Sequence, residues 1–216
     1  RVVLVHAAPA GDAQKGFVNY RAEEPPRIRS SILYAARGVS TFHGVQELRG
    51  CVIAGAGGWS EALSVNNCLW FGTPQGFMKQ WKVENVLLSE GFALGPGCEL
   101  RSCTVCGPVK VAGEGCALFD CLMHSVESGK PGTRIEHCDP YGPPPVFIDL
   151  AKPGKGCFSA PPQFVNPNVF DYRLLPTSPC RGKASDGGDI GFRYTPEMIE
   201  ILQVALELRR RGIIKF

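Results

Sequence analysis

No run of this chain approaches the roughly 18 to 20 consecutive apolar residues of a membrane-spanning helix, so no such span is expected. Charge of one sign is equally scarce. Lysine and arginine number 23 against 20 aspartates and glutamates, a net +3 that is too small to imply a nucleic-acid partner. The one basic run, Arg209-Arg210-Arg211, closes a helical pattern, where cations are favoured in any case. Serine-nucleophile motifs and phosphate-cradling glycine loops are missing; Gly55-Ala56-Gly57-Gly58 precedes no helix and reads as a turn. The four histidines, His6, His43, His124 and His137, do not converge in sequence, and structural roles are expected for them. The chain opens at Arg1 on what reads as a strand, without initiator methionine or signal peptide, so it is expected to be the C-terminal part of a longer product.

What is present is a repeat. Leu48-Arg49-Gly50-Cys51, Val65-Asn66-Asn67-Cys68, Val83-Glu84-Asn85-Val86, Leu100-Arg101-Ser102-Cys103, Leu118-Phe119-Asp120-Cys121 and Ile135-Glu136-His137-Cys138 share one register, with anchors 17 or 18 residues apart. A unit this short cannot bury its own apolar face and must stack on its neighbours as a solenoid. Three residues before each anchor the occupant is aliphatic and two before it mostly polar, the alternation of a strand with one buried face. One before the anchor stand Gly50, Asn67, Asn85, Ser102, Asp120 and His137, mostly types that tolerate a left-handed backbone or bond locally. A coil therefore reads as strand, tight bend, strand, wider turn, with Gly97, Gly115 and Gly132 in the wider turn. A left-handed hexapeptide helix would need a six-residue sub-repeat, and steps of six from Leu48 reach Ala54, Ser60 and Asn66, which share no character. The fold class expected is thus all-β, a right-handed parallel β-helix of 17–18-residue coils. Coils span 1–140, with a loop inserted near 11–26.

Seven of the ten cysteines, at 51, 68, 98, 103, 116, 121 and 138, fall in inward columns and read as a ladder of small apolar core residues with reduced thiols. Coils about 4.8 Å apart put Cys103 with Cys121, or Cys98 with Cys116, within disulfide range, although parallel side chains disfavour it. Cys103-Thr104-Val105-Cys106 has zinc spacing, but its first member belongs to the core column and no second pair accompanies it, so no metal is expected.

Residues 141–194 read as the last coil or coils and a C-terminal cap. They include Pro161-Pro162-Gln163-Phe164-Val165, Asp171-Tyr172-Arg173-Leu174, Ser178-Pro179-Cys180 and Asp189-Ile190-Gly191. These segments resemble the closing segment of bacterial right-handed parallel β-helix repeat proteins of the pectate-lyase-like superfamily, which carry alanine where Cys180 stands. The resemblance implies a cover for the open end of the stack and a place in the cell envelope or outside, whereas unpaired core cysteines suit a reducing compartment. Residues 195–212 form one amphipathic helix: Thr195 is the N-cap, Pro196 the first helical residue and Gly212 the stop. Met198, Ile201, Leu202, Ala205 and Leu208 make its apolar stripe. The column just after the anchor, Val52, Leu69, Leu87, Thr104 and Leu122, faces out yet is mostly apolar. The helix either lies along that column or plugs the last coil.

Catalysis on such a fold needs clustered acids and a base on one outer face. The candidates are Lys82, Glu84, Glu99, Arg101, Arg134 and Glu136, joined by Phe119 as an outward aromatic suited to a sugar ring; Glu47 and Arg49 lie in the same columns. Trp59, Phe71 and Phe77 are further candidates for exposed aromatics. Alternating charge along the columns reads as a ladder of ion pairs between coils. The function expected is a non-catalytic structural or binding β-helix recognising carbohydrate or a protein partner along its outer face, with no cofactor. The alternative is a polysaccharide lyase, hydrolase or epimerase, and calcium enters only there.

Overall fold

The computed structural model describes residues 2–6, 27–35, 45–55, 60–74 and 78–216. The loop near 11–26, His43, Trp59, Phe77 and Ala56-Gly57-Gly58 lie outside the described residues, and so does the His6 side chain. Two parallel sheets face each other. The seven-stranded sheet stacks Arg27–Arg29, Glu47–Arg49, Ser64–Asn66, Lys82–Glu84, Glu99–Arg101, Ala117–Phe119 and Arg134–Glu136 in chain order. The ten-stranded sheet stacks the second strand of each coil, from Val2–His6 through Ser31–Ala35 to Leu122–Ser128 and Asp139–Pro140. Register follows the repeat: Leu48 pairs with Val65, Val65 with Val83, Val83 with Leu100, Leu100 with Leu118 and Leu118 with Ile135. The chain is a parallel β-solenoid with, among the described residues, a single α-helix, which lies near its C-terminus.

The bend between the two strands is left-handed in every coil: φ is +62° at Gly50, +51° at Asn67, +52° at Asn85, +51° at Ser102, +55° at Asp120 and +50° at His137. A second left-handed column forms the wider turn, where Ala62, Gln80, Gly97, Gly115 and Gly132 all have positive φ. Asn and Asp reach this region at lower cost than other side chains because they bond their own backbone.

Between the sheets lies one apolar core that includes Cys51, Cys68, Cys103, Cys121 and Cys138, all fully buried. Their thiols do more than fill space. The carbonyl of Asn66 accepts the Gly50 amide of the preceding coil at 3.0 Å, and the Cys68 thiol donates to the same oxygen at 3.2 Å. Phe119 O likewise takes Ser102 N–H at 2.9 Å and the Cys121 thiol at 3.0 Å. Cysteine after the bend is thus a small apolar residue with one weak donor for the second lone pair of a buried carbonyl. All ten cysteines are unpaired thiols. Cys103 and Cys106 face opposite sides of their strand, Cys103 in the inner core and Cys106 against the outer one.

That outer cluster is the cover of the ten-stranded sheet. The helix, Pro196–Arg210, lays Met198, Ile201, Leu202 and Ala205 over Ile32, Tyr34, Val52, Ala54, Leu69, Phe71 and Leu87. It therefore takes the first of its two expected positions, along the outward apolar column. Thr195 caps it by accepting from Met198 N–H. Phe71 is buried rather than exposed: it stacks on Phe216 at 4.1 Å and meets Phe170 edge-on at 5.0 Å.

Residues 141–158 complete a last coil, since Gly154 N–H donates to Ile135 O, His137 N–H to Lys155 O and Phe158 N–H to Cys138 O. The following hairpin, Phe164–Asn166 against Asp171–Leu174, and the stretch 178–194 then pack along the flank. The flank carries the apolar demand: Leu122 is covered there by Cys180, Ala184 and Ile190.

Candidate functional site

The bend column faces the C-terminal segment, and the two are tied coil by coil. Asp120 O accepts Gly191 N–H at 2.8 Å, Thr104 Oγ1 accepts Phe192 N–H at 3.0 Å, and Asn85 Oδ1 accepts Arg193 N–H at 2.7 Å. Asn85 Nδ2 donates to Arg193 O at 2.8 Å and to Asn67 Oδ1 at 2.8 Å, so this one amide behaves towards Arg193 like a neighbouring strand. Gly191 is required: with φ at +91°, an added Cβ would lie 2.7 Å from both Leu122 Cδ1 and Thr104 Oγ1. We call residues 185–195 the strap.

Beside the strap the coils leave an open groove. A cleft of about 370 Å³ is floored by Asn67, Glu84, Arg101 and Asp120 and walled by Asp186 and Arg193. A second cleft of about 470 Å³ continues it past Asn67 and Thr195 to Arg29, Arg49 and Glu197. The groove thus runs along successive bends from Asp120 to Arg29, about 4.8 Å per coil.

Two of the acids in it, Asp120 and Asp186, are committed. Asp120 is buried, and its carboxylate accepts Ser185 N–H and Ser185 Oγ–H, both at 2.6 Å. Arg101 stands 3.8 Å away. Arg193 grips Asp186 with both terminal nitrogens, at 2.7 and 2.9 Å, and these bonds hold the Asp186 carboxyl well below the usual range. Burial raises the pKa of Asp139, but that side chain is fully enclosed, accepting from Ala160 N–H and the Cys180 thiol. It is sealed from the groove.

The residues nominated from sequence divide. Glu99, Arg101, Phe119, Arg134 and Glu136 form one cluster on three adjacent coils. Arg101 bonds Glu99 at 3.1 Å, Arg134 bonds Glu136 at 3.1 Å, and the two guanidinium groups lie 4.5 and 5.0 Å from the Phe119 ring centre. Phe119 is consequently 9% exposed, packed beneath cations and closed to a sugar ring. The expected ladder between coils is also revised: these two ion pairs join residues two apart on one strand. Side chains at that spacing share a face, and Phe119 and Ala117 interrupt the charged columns between coils. Arg29 with Glu47, at 2.8 Å, is a pair that does bridge coils. Glu84 and Arg101 reach the groove, while Lys82 is exposed on the strand beside it, in register with Glu99.

Asp120, Asp186 and Arg193 escaped the sequence reading as site residues. Asp120 sits in the bend column, where its left-handed backbone is sufficient reason for an Asp. Arg193 meets it only through a strap whose path the local pattern does not disclose. Among the described residues no group of three or more His, Cys, Asp or Glu side chains is arranged to hold a metal ion, and no helix is long and apolar enough to cross a membrane.

No protein-family model matches the chain, and no curated protein matches it. Among solved structures it is similar to that of a trypsin-treated variant of QnrB1, a plasmid-mediated fluoroquinolone resistance protein. The identity is 10%, the coverage 71% of this chain and 91% of that one, and the TM-score 0.20, a likeness that carries no argument about function.

Proposed function

We propose that this β-solenoid is a non-catalytic binding module that holds an extended carbohydrate chain in the groove between its bends and the strap, and that it is of the pectate-lyase-like type. The observation that carries this reading is the groove itself: a polar channel across successive coils, offering Arg29, Arg49, Asn67, Glu84 and Arg101 to a hydroxyl-rich chain. Amide, carboxylate and guanidinium groups together supply both donors and acceptors for sugar hydroxyls. A binding role is favoured over an enzymatic one because two of the three carboxyls lining the cleft beside the strap, Asp120 and Asp186, already serve as acceptors for Ser185 and Arg193, which leaves Glu84 as the one acid of that cleft offered to a ligand. A hydrolase or lyase needs a carboxyl poised to exchange a proton with substrate.

The test is retention and product release, scored together, on a panel of soluble plant, algal and bacterial polysaccharides. Native chain is compared with Arg49→Ala and Arg101→Ala. Retention without product, weakened about tenfold or more by either substitution, is the expected result; a loss of about 1.4 kcal/mol corresponds to that factor. Released reducing or unsaturated ends would replace the reading with the enzymatic one. Failure to retain any polysaccharide would refute it and leave a protein partner as the groove's occupant.

A further inference from the structure

The thiol ladder does not stop at Cys138. In the last coil Cys157 repeats its geometry: Cys157 Sγ donates to Ile135 O at 3.3 Å, as Cys138 Sγ does to Leu118 O at 3.5 Å one coil earlier. Cys157 stacks directly on Cys138, because Phe158 N–H donates to Cys138 O at 3.2 Å, as Leu122 N–H does to Cys103 O between the ladder cysteines 103 and 121. Cys138 is fully enclosed, whereas Cys157 is half-buried at the finish of the stack. His137 stands beside this pair: a Cβ added to Gly156 would lie 2.5 Å from its Nδ1. That nitrogen is also 3.2 Å from Lys183 O, which favours the tautomer protonated at Nδ1.

We propose that Cys157 and Cys138 form an oxidant-responsive dithiol, with Cys157 the attacking sulfur and Cys138 the resolving one, modified by hydrogen peroxide or organic hydroperoxides. In the first step the Cys157 thiolate attacks a peroxide oxygen. An S–O bond forms, the O–O bond breaks, and hydroxide (or alkoxide) leaves to take up a proton, giving Cys157 sulfenic acid. In the second step the Cys138 sulfur attacks that of Cys157. The S–S bond forms as the S–O bond breaks, and the hydroxyl departs as water with the Cys138 proton. Two electrons pass from the sulfurs to one peroxide. Adjacent coils are separated by about 4.8 Å, inside the Cα range of roughly 4.4 to 6.8 Å that a disulfide spans, and Cys157, half-buried in the last coil, can turn away from the parallel side-chain direction that disfavours such a bond inside the ladder.

Exposure sets Cys157 apart: Cys51 and Cys121 are also drawn down but are fully buried, whereas Cys157 is half-buried. The hydrogen bond from Cys138, with the nearby His137, draws its thiol down to about 6 against the opposing effect of burial. Burial pushes Cys138 well up, as suits a resolving thiol that waits protonated. Cys180 is also pushed up, by burial and by its hydrogen bond to the Asp139 carboxylate, and it remains inert.

The experiment uses the whole native chain. Timed iodoacetamide labelling at pH 7 should modify Cys157 about tenfold or more faster than any other thiol. Titration with hydrogen peroxide followed by non-reducing peptide mapping should yield a linked peptide joining Cys138 and Cys157. In Cys138→Ser, a dimedone probe should trap Cys157 as sulfenic acid. Oxidation of Cys106 or Cys180 before Cys157 would overturn the proposal, as would a Cys157 that peroxide leaves reduced or oxidises without the Cys138 link. Should Cys138→Ser fail to fold, the native-chain map decides alone.

Discussion

Asn85 joins the coil's own geometry to the strap, and two substitutions separate these contributions. Its backbone is left-handed at φ +52°, and its side chain bonds the N–H and C=O of Arg193 at 2.7 and 2.8 Å and Asn67 at 2.8 Å. Asn85→Gly keeps the left-handed bend but deletes three hydrogen bonds, two to the strap and one to Asn67, a loss of about 3 kcal/mol at about 1 kcal/mol each. Asn85→Ala deletes the same bonds and adds about 1 kcal/mol of backbone strain, for about 4 kcal/mol in all. In a chain of this size each kcal/mol shifts the melting temperature by roughly 2 to 4 °C. The expected losses are therefore about 6 to 12 °C for glycine and 8 to 16 °C for alanine. Tryptophan fluorescence during thermal unfolding reads this region, because Trp70 and Trp81 are buried 6.2 Å apart in the neighbouring coils. Equal losses for the two variants would refute the strain argument. Losses below about 0.5 kcal/mol in both would refute the assignment of Asn85 as the latch of the strap.

Ile201→Ala opens the helix interface over the outer stripe and should cost about 2 to 4 kcal/mol in chemical denaturation, while deleting residues 196–216 should leave a chain that aggregates, because Val52, Leu69 and Leu87 lose their cover; a soluble deletion variant with unchanged melting would count against the helix as a structural element. Asp139 gives a pH prediction. Burial raises its folded pKa, so the stability it contributes is present at low pH and lost as pH rises through that folded value. Asp139→Asn does not titrate, and its melting temperature relative to the native chain should climb with pH and then level off. Glu47 and Asp171, held low by hydrogen bonds from Arg29 and Arg173, lose their contributions as pH falls through their folded values, and they cancel in the comparison. A difference between the two proteins that does not vary with pH would refute this account of Asp139.

The coils are legible in the sequence because each is specified locally. A bend residue that accepts positive φ, an aliphatic three positions before the anchor and a small residue at the anchor define a coil within 17 or 18 residues, and stacking repeats the requirement. The coil formed by Arg27–Arg29 and Ser31–Ala35 follows the same logic, and its second strand pairs in register with both neighbours, Val2–His6 and Val52–Ala54. The helix was narrowed to two positions, and the observed one answers to an apolar column facing outward at Val52, Leu69 and Leu87 that needs a cover and matches the stripe of the helix. Phe119 was misread for a local reason. Its column faces outward as expected, but its exposure depends on Arg101 and Arg134 from the coils on either side, whose long side chains fold over the ring.

The groove belongs to a different order of information. Its floor is the bend column, whose residues the repeat already accounts for on backbone grounds, so their second role leaves no additional trace in the pattern. Its wall comes from the strap, about a hundred residues later than Asn85, and which wall faces which coil depends on single hydrogen bonds such as Gly191 N–H to Asp120 O. The Asp189-Ile190-Gly191 motif illustrates the distinction. Ile190 is buried against the flank, Gly191 is forced by its close approach to Leu122 and Thr104, and Asp189 accepts from Gly182 N–H at 3.0 Å and holds the Arg193 guanidinium through its carbonyl. The motif is therefore an attachment device, informative about where the strap docks and silent about what the groove beside it binds. A ligand that fills the groove would touch coils and strap together, so it should stabilise the strap on the stack by linkage. Hydrogen exchange at the Gly191, Phe192 and Arg193 amides should slow when the polysaccharide is present. Unchanged exchange at saturation would place the ligand elsewhere on the solenoid.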